Sequence, residues 1–166
     1  MMTDFSLADL TALTGAKRRS VQLWAEAGVL QADLSTERAG TGVHRRFARD
    51  EAMVALLVAP FADLRVSIGM LKLLGDQFRQ LIAGQRHQVE ACLLPAGDPD
   101  AHFGYLLVSS YYGEKVGVKS HLRTYSQSDI ETAATSLGAK TMSLMAEGGS
   151  CICLYLNKHL AALRHQ

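Results

Sequence analysis

The sequence predicts an α+β protein: a mostly helical N-terminal part with one small hairpin, a connecting helix, and a small C-terminal unit of strands and helix. Three observations predict it. Apolar residues recur at threes and fours over most of residues 5–94, the period of amphipathic helices. The stretch Pro95 to Asp100, PAGDPD, breaks that period with the composition of a linker. From Ala101 onward, β-rich stretches flank a single helical one.

Composition sets the outer bounds. A chain of 166 residues has room for one domain or two small ones. Seventeen Lys+Arg against sixteen Asp+Glu leave a net charge of +1, so no global field points at nucleic acid or membrane. A hydrophobic content of 48% excludes wholesale disorder. The longest apolar run, Ala52 to Ala62, has eleven residues and contains Pro60, too short to span a bilayer. The opening MMTDFSLADL lacks the basic flank and apolar stretch of a signal peptide, and three cysteines make no disulfide framework. A cytoplasmic protein without membrane contact is expected.

The local charge pattern is stronger than the sum. The first 70 residues hold eight bases and eight acids, yet six of those bases fall at Lys17-Arg18-Arg19, Arg45-Arg46 and Arg49. Clustered charge is what a phosphate partner reads.

Residues 5–13 are expected to form the first helix. Ser6 and Asp9 have the spacing of a capping box, and Phe5 is placed to staple against Leu10. Leu7, Leu10 and Leu13 make its apolar stripe, and Thr14-Gly15 ends it with a glycine suited to a left-handed turn. The second helix should run from about Lys17 to Ala27, bury Val21, Trp24 and Ala25, and stop at Gly28. Lys17, Arg18 and Arg19 in its first turn have the wrong sign for the helix dipole, at a cost of a few tenths to about 1 kcal/mol each. Three such costs in a row point to an anion there.

Val29 to Arg46 reads as an extended arm, a loop and a returning strand. Glu37 to Gly42 forms the tip, and Val43 to Phe47 carries His44, Arg45 and Arg46 back. Asp50-Glu51 opens a third helix that Pro60 is expected to end. A fourth starts near the N-cap residue Ser67, and Leu71, Leu74, Phe78 and Leu81 form an a/d-like seam along it.

After the linker, Phe103 to Tyr112 reads as a strand, Gly113-Glu114 as a turn, and Val116 to Leu122 as its partner. Val116, Val118 and Leu122 should face inward, with Lys115, Lys119 and His121 toward water. Ser128 and Glu131 suggest a second capping box, opening a helix to about Ala146. Ile130, Ala134, Leu137, Thr141 and Leu144 would line its inner face. Gly148-Gly149 then turns into a third strand, Ser150 to Leu156, and a short terminal helix.

A short helix, a glycine turn, a second helix with a basic tip and a strand return carrying arginines make a winged helix-turn-helix arrangement. In such a fold the second helix enters the major groove, while the wing contacts the backbone. Residues 5–71 resemble the DNA-binding domain of the MerR family of bacterial transcription regulators. FSLADLTALTGAKRRSVQLWAEAGVL, residues 5–30, follows that family's helix, Thr-Gly turn, recognition helix and closing triplet, here Gly28-Val29-Leu30. GVHRRFARDE, residues 42–51, is similar to its wing return, and LRVSIGML, residues 64–71, to the opening of its next helix. Two departures stand out. Gln22-Leu23 replace the family's Arg-Tyr in mid recognition helix, and Lys17-Arg18 replace its Ser-Pro start. These changes favour an altered sequence preference, since Gln22 can still read a base edge.

The resemblance implies a homodimer on double-stranded DNA, with a winged-helix domain over residues 1–66. A connecting and dimerisation helix over 67–94 would use the seam from Leu71 to Leu81. The small α+β domain over 101–166 matches no effector domain and is expected to complete the dimer or take a small-molecule or protein effector. Recognition helix 17–27 would place Lys17, Arg18, Arg19 and Gln22 in the major groove. Wing 31–46 would hold the backbone through Arg38, His44, Arg45 and Arg46. Trp24 and Phe47 are expected in the core.

Other readings stay open. An architectural DNA-binding protein, similar to phage excisionases, would use a related winged helix to bend DNA. A thiol- or metal-responsive sensor would use Cys92, which the resemblance places near the end of the dimerisation helix, with Cys151 and Cys153 and one of His87, His102 or His121. Three buried free cysteines are the plainer reading, and neither a cofactor nor a metal is assigned. Tyr105, Tyr111 and Tyr112 are candidates to line a ligand pocket, although strands favour aromatic residues in any case. No GxSxG, P-loop, GxGxxG or HExxH motif is present, so no enzyme activity and no catalytic residue is expected.

Overall fold

Helices and two small antiparallel sheets follow one another along the chain, so the fold is α+β as expected. The computed structural model of the protein describes residues 4–37, 45–95, 97–111, 117–148 and 150–164. The chain divides into two compact units, Met1–Gln80 and Leu81–Arg164. No helix among the described residues is long and apolar enough to cross a membrane.

The first unit opens with strand β1 (Phe5–Ser6) and helix α1 (Leu7–Thr14). The capping box is present. The Ser6 hydroxyl accepts from the Asp9 N–H at 3.2 Å, and the Asp9 carboxylate accepts from the Ser6 N–H at 2.8 Å. Gly15 ends α1 with φ 67°, its N–H donating to the Thr11 carbonyl at 3.1 Å. Helix α2 (Arg18–Glu26) buries Val21 and Trp24, with Ala25 half-buried. Gly28 follows with φ 74°, the left-handed conformation that turns the chain away from the helix.

Three expectations change here. Phe5 and Ser6 are strand rather than helix, and their partner is β2 (Arg46–Phe47), in the register Phe5↔Phe47 and Ser6↔Arg46. The returning strand thus pairs with the segment before α1, because that pairing buries both phenylalanines completely. The arm after α2 forms a single helical turn, α3 (Leu34–Glu37), instead of an extended strand. It still holds Arg46: the Asp33 N–H donates to the Arg46 carbonyl at 2.8 Å, and the Arg46 N–H to the Thr36 hydroxyl at 3.1 Å. The expected hairpin tip, apart from Glu37, lies outside the described residues.

Pro60 does not end the third helix. Helix α4 (Arg49–Asp63) runs through it: the proline lacks an N–H and crowds the preceding turn, but its carbonyl still accepts, here from Leu64 at 3.3 Å. The extra turn presents Phe61 to Phe78, with ring centroids 5.9 Å apart. Residues 51–59 of α4 are buried without interruption, as in a helix that is core on every side.

Helix α5 (Ile68–Gly84) begins where Ser67 predicts, its hydroxyl accepting from the Met70 N–H at 3.4 Å. The seam read as a dimer contact is occupied within the chain: Leu71, Leu74 and Phe78 are each at most 3% exposed. Periodicity located an apolar face correctly, but that face fills this chain's own core. Toward the end of α5, Ile82 is buried and Leu81 only half-buried.

Glu51 is the one charged residue in the buried run of α4, and Arg79 on α5 answers it. The Arg79 guanidinium donates to both carboxylate oxygens, to Asp76 at 2.8 Å, and to the Val29 carbonyl at 3.0 Å. Glu51 in turn accepts from the Gln31 N–H at 2.8 Å. α5 comes so close to this turn that a Cβ on Gly75 would stand 2.7 Å from the Val29 carbonyl oxygen.

The second unit holds α6 (Arg86–Ala91), strands β3 (His102–Tyr111) and β4 (Gly117–Ser126), α7 (Ile130–Gly148), β5 (Ser150–Tyr155) and α8 (Leu156–His159). The sheet order is β4-β3-β5, antiparallel throughout. Gly104 in the central strand is a close-approach site: a Cβ there would meet Leu156 Cδ1 at 2.6 Å and Cys92 Sγ at 2.9 Å.

β4 continues past the expected end at Leu122 to Ser126 and enters a 3-10 turn, Gln127–Asp129. There the Ser126 hydroxyl bonds the Asp129 carboxylate at 2.6 Å and the Ser128 hydroxyl at 2.8 Å, so Ser128 is engaged locally before α7 opens. On α7 the buried alanine is Ala133; Ala134 is exposed, one residue out of the expected phase. Tyr112 to Val116, including the Gly113-Glu114 turn, and the side chains of Ile130 and Leu144 lie outside the described residues. Lys119 is exposed and Leu122 buried, as the alternation predicts, but His121, expected toward water, is half-buried opposite the buried Leu107.

Alanine is normally the better helix residue by about 1 kcal/mol. Gly75→Ala should nevertheless destabilise the protein by about 1–3 kcal/mol in urea unfolding, because the new methyl meets backbone. Gly69→Ala on the same helix faces open space and should cause no loss.

Candidate nucleic-acid interface

The second helix presents two faces. Val21 and Trp24 face the core, while Lys17, Arg18, Arg19, Gln22 and Glu26 are exposed. Lys17 is the N-cap residue and makes no side-chain cap bond, so the first N–H groups of α2 keep no capping oxygen. An uncapped, positively polarised helix end with three added cations is an anion-attracting surface.

The β1–β2 pairing brings the second set of cations close. Because Ser6 stands opposite Arg46, the basic strand lies beside the start of α1. An open cleft of about 630 Å³ results, lined by Arg18, Gln22 and Glu26 from α2, by Arg45 and Arg46, and by Ser6 to Ala8. Arg18, Gln22, Arg45 and Arg46 are therefore gathered around one space. Lys17 and Arg19 are exposed on the same helix but do not line the cleft. Arg38 and His44 lie outside the described residues. Among the described residues none of Lys17, Arg18, Arg19, Arg45 or Arg46 forms an ion pair with a carboxylate.

Sequence reasoning missed two residues. Glu26 lines the cleft and accepts from the Gln22 amide at 2.9 Å, so the base-reading candidate is held in one orientation. The i,i+4 spacing of Gln22 and Glu26 carried that signal. Leu23 is half-exposed beside Gln22, an apolar group on the outer side of the helix. Trp24 and Phe47 are core residues, as expected.

The three cysteines do not converge. Cys92 packs beside Gly104, whose side of the sheet also carries Leu106 and Val108. Cys151 and Cys153 stand opposite Ser109 and Leu107, and paired residues share a face, so these two thiols lie on the other side. Burial pushes the Cys92 thiol up to about 12, against a weaker pull from Arg164. Burial also raises Cys151, and burial together with Cys151 raises Cys153. Raised thiols are poor thiolates, the opposite of a reactive sensor. Among the described residues no group of three or more His, Cys, Asp or Glu could hold a metal ion.

No family model matches the chain, and no curated protein matches it.

Asp9 sits beside this cleft and anchors the start of α1. Its carboxyl is held below the ordinary aspartate value, first by the Ser6 backbone N–H, then by the Ser6 hydroxyl, with Arg46 adding a smaller pull. A depressed carboxylate stabilises the fold above its unfolded pKa of about 4, and that contribution is lost as pH falls through the lower folded value. Acid titration followed by circular dichroism should show this loss in the wild type. Asp9→Asn should flatten it, while Ser6→Ala should cost about 1 kcal/mol at neutral pH.

Proposed function

We propose that the protein is a sequence-specific DNA-binding transcription regulator that acts as a homodimer, and that its first unit is a winged helix-turn-helix. The observation that carries this reading is the cleft in which cations from two separate segments, Arg18 on α2 and Arg45-Arg46 at the start of β2, face one open space. Three arginines, Arg18, Arg45 and Arg46, outnumber the one carboxylate of that lining, Glu26, and their mutual repulsion is what a polyanion relieves. Lys17, Arg18 and Arg19 meet phosphates or base edges at the tip of α2. Gln22 reads a base, with adenine as its natural bidentate partner, and Leu23 is placed for a thymine methyl. Arg45 and Arg46 fix the register on the backbone.

The homodimer uses a surface other than the seam of α5, which is already buried. Leu64, Ile68 and Leu73 are the exposed apolar side chains in that stretch. The resemblance of residues 5–71 to MerR regulators supports the same reading. The second unit then supplies signal input or assembly.

Binding to DNA from upstream of the protein's own gene, compared with scrambled DNA, tests this reading. Gln22→Ala should cost about 1–3 kcal/mol of preference between the two. Arg45→Ala should weaken both by a similar factor and leave their ratio unchanged. Equal loss of preference in both variants would contradict the division between base and phosphate contacts. Equal binding of the wild type to both DNAs would replace the regulator with an architectural role.

A further inference from the structure

The second unit contains an open cleft of about 640 Å³ that the DNA-binding reading leaves without a task. Its size falls within the range of small-molecule sites. One wall is aromatic: Phe103 and Tyr105 lie on the same face of β3, and Tyr155 of β5 stands opposite Tyr105 in the sheet. The Tyr105 and Tyr155 rings are 5.4 Å apart and tilted, and Phe103 meets Tyr105 edge-on at 6.1 Å. Tyr155 is 41% exposed, a large ring left open beside the cleft.

The polar groups of the lining carry one sign. Lys158 and Arg164 are both exposed, and no carboxylate belongs to the lining among the described residues. Asn157 also lines the cleft, but its amide is already engaged. It accepts from the Gly104 N–H at 2.9 Å and donates to the carbonyls of Cys92 at 3.0 Å and His102 at 2.8 Å. Arg164 makes one long bond to the Cys92 carbonyl, 3.4 Å, which leaves most of its donors available. His102 also lines the cleft, with its Nδ1 3.0 Å from the Asp100 carbonyl oxygen. The groups left to recognise a ligand are therefore a set of stacking rings, two cations and the second ring nitrogen of His102.

We propose that this cleft binds a small molecule that combines a planar aromatic ring with an anionic group. The ring lies against Tyr105 and Tyr155, and the anion is held by Lys158 and Arg164. Aromatic faces accept a planar ring by offset stacking, and guanidinium and ammonium groups supply charge-assisted bonds to carboxylate or phosphate. A cationic aromatic is excluded by like charge, and an aliphatic anion lacks the stacking contribution. This assignment does not depend on what the first unit binds.

The test is calorimetric titration of the full chain with 1-naphthoate and, separately, with adenosine monophosphate, the two common sources of an aromatic anion. 1-Naphthamide and hexanoate serve as the neutral and the non-aromatic comparison. Saturable binding of 1-naphthoate or of the nucleotide, at least about tenfold tighter than either comparison, is expected. Whichever of the two binds more tightly assigns the anion as carboxylate or phosphate. Lys158→Ala, at an exposed position without an ion pair among the described residues, should weaken binding about tenfold while leaving the thermal unfolding midpoint in place. Tyr155→Ala should weaken it as well. Absence of saturable binding by both anions at millimolar concentration would overturn the proposal. So would equal binding of the amide, or affinities untouched by both substitutions.

Discussion

An ion pair between the buried Glu51 and the half-buried Arg79 fixes the path of the chain after α2. Removing two charges from water is expensive, and the cost is recovered only when every remaining donor and acceptor finds a partner. Here the buried partner, Glu51, is engaged through both oxygens, while Arg79, 21% exposed, keeps access to water. Glu51 accepts from Arg79 and from the Gln31 N–H, while Arg79 also reaches Asp76 and the Val29 carbonyl. Burial alone would lower the Arg79 pKa, yet the carboxylates of Glu51 and Asp76 more than offset it and raise it above its ordinary value. Such a pair contributes geometry more than stability. It ties two backbone groups at the exit of the second helix to two other helices, and Gly75 allows the approach.

The rest of the first unit follows by contact. Gln31 is held by Glu51, and the segment after it holds the main chain of Arg46 through Asp33 and Thr36. Arg46 then pairs with Ser6, which caps α1. Both walls of the basic cleft, α2 and the β2 strand, are thus positioned from the same buried carboxylate. A nucleic-acid surface needs this rigidity, because phosphate contacts set position only when their spacing is fixed.

What could be read in the sequence was local. The Ser6–Asp9 box, the left-handed Gly15, the Ser67 start and the period-two pairing of Cys151 with Cys153 depend on neighbours within a few residues, and each is found. What could not be read was the identity of distant partners. Nothing in the spacing of Arg79 and Glu51 announces their contact, and nothing in Phe47 says that Phe5 will lie opposite it. The Leu71 seam shows the same limit: a 3.6-residue period marks a buried face without saying which core receives it. Pro60 shows it again: the turn beyond it carries Phe61, whose partner Phe78 is distant in the sequence. On the candidate interface the cation clusters were legible as charge. Their meeting around one cleft was not, since it depends on the β1–β2 pairing. The cleft of the second unit was legible only through Tyr105, because its second wall comes from the terminal segment, Asn157 to Arg164, by a tertiary contact.

The central claim is that the cations of α2 and of the basic strand act together on a phosphate backbone. The most direct test is the salt dependence of DNA binding by the full chain. If Lys17, Arg18, Arg19, Arg45 and Arg46 each neutralise one phosphate, the logarithm of the binding constant should fall with the logarithm of salt with a slope of about −4 to −5 per protomer. A slope near zero, or no binding at low salt, would contradict it and leave the cleft without a nucleic-acid role.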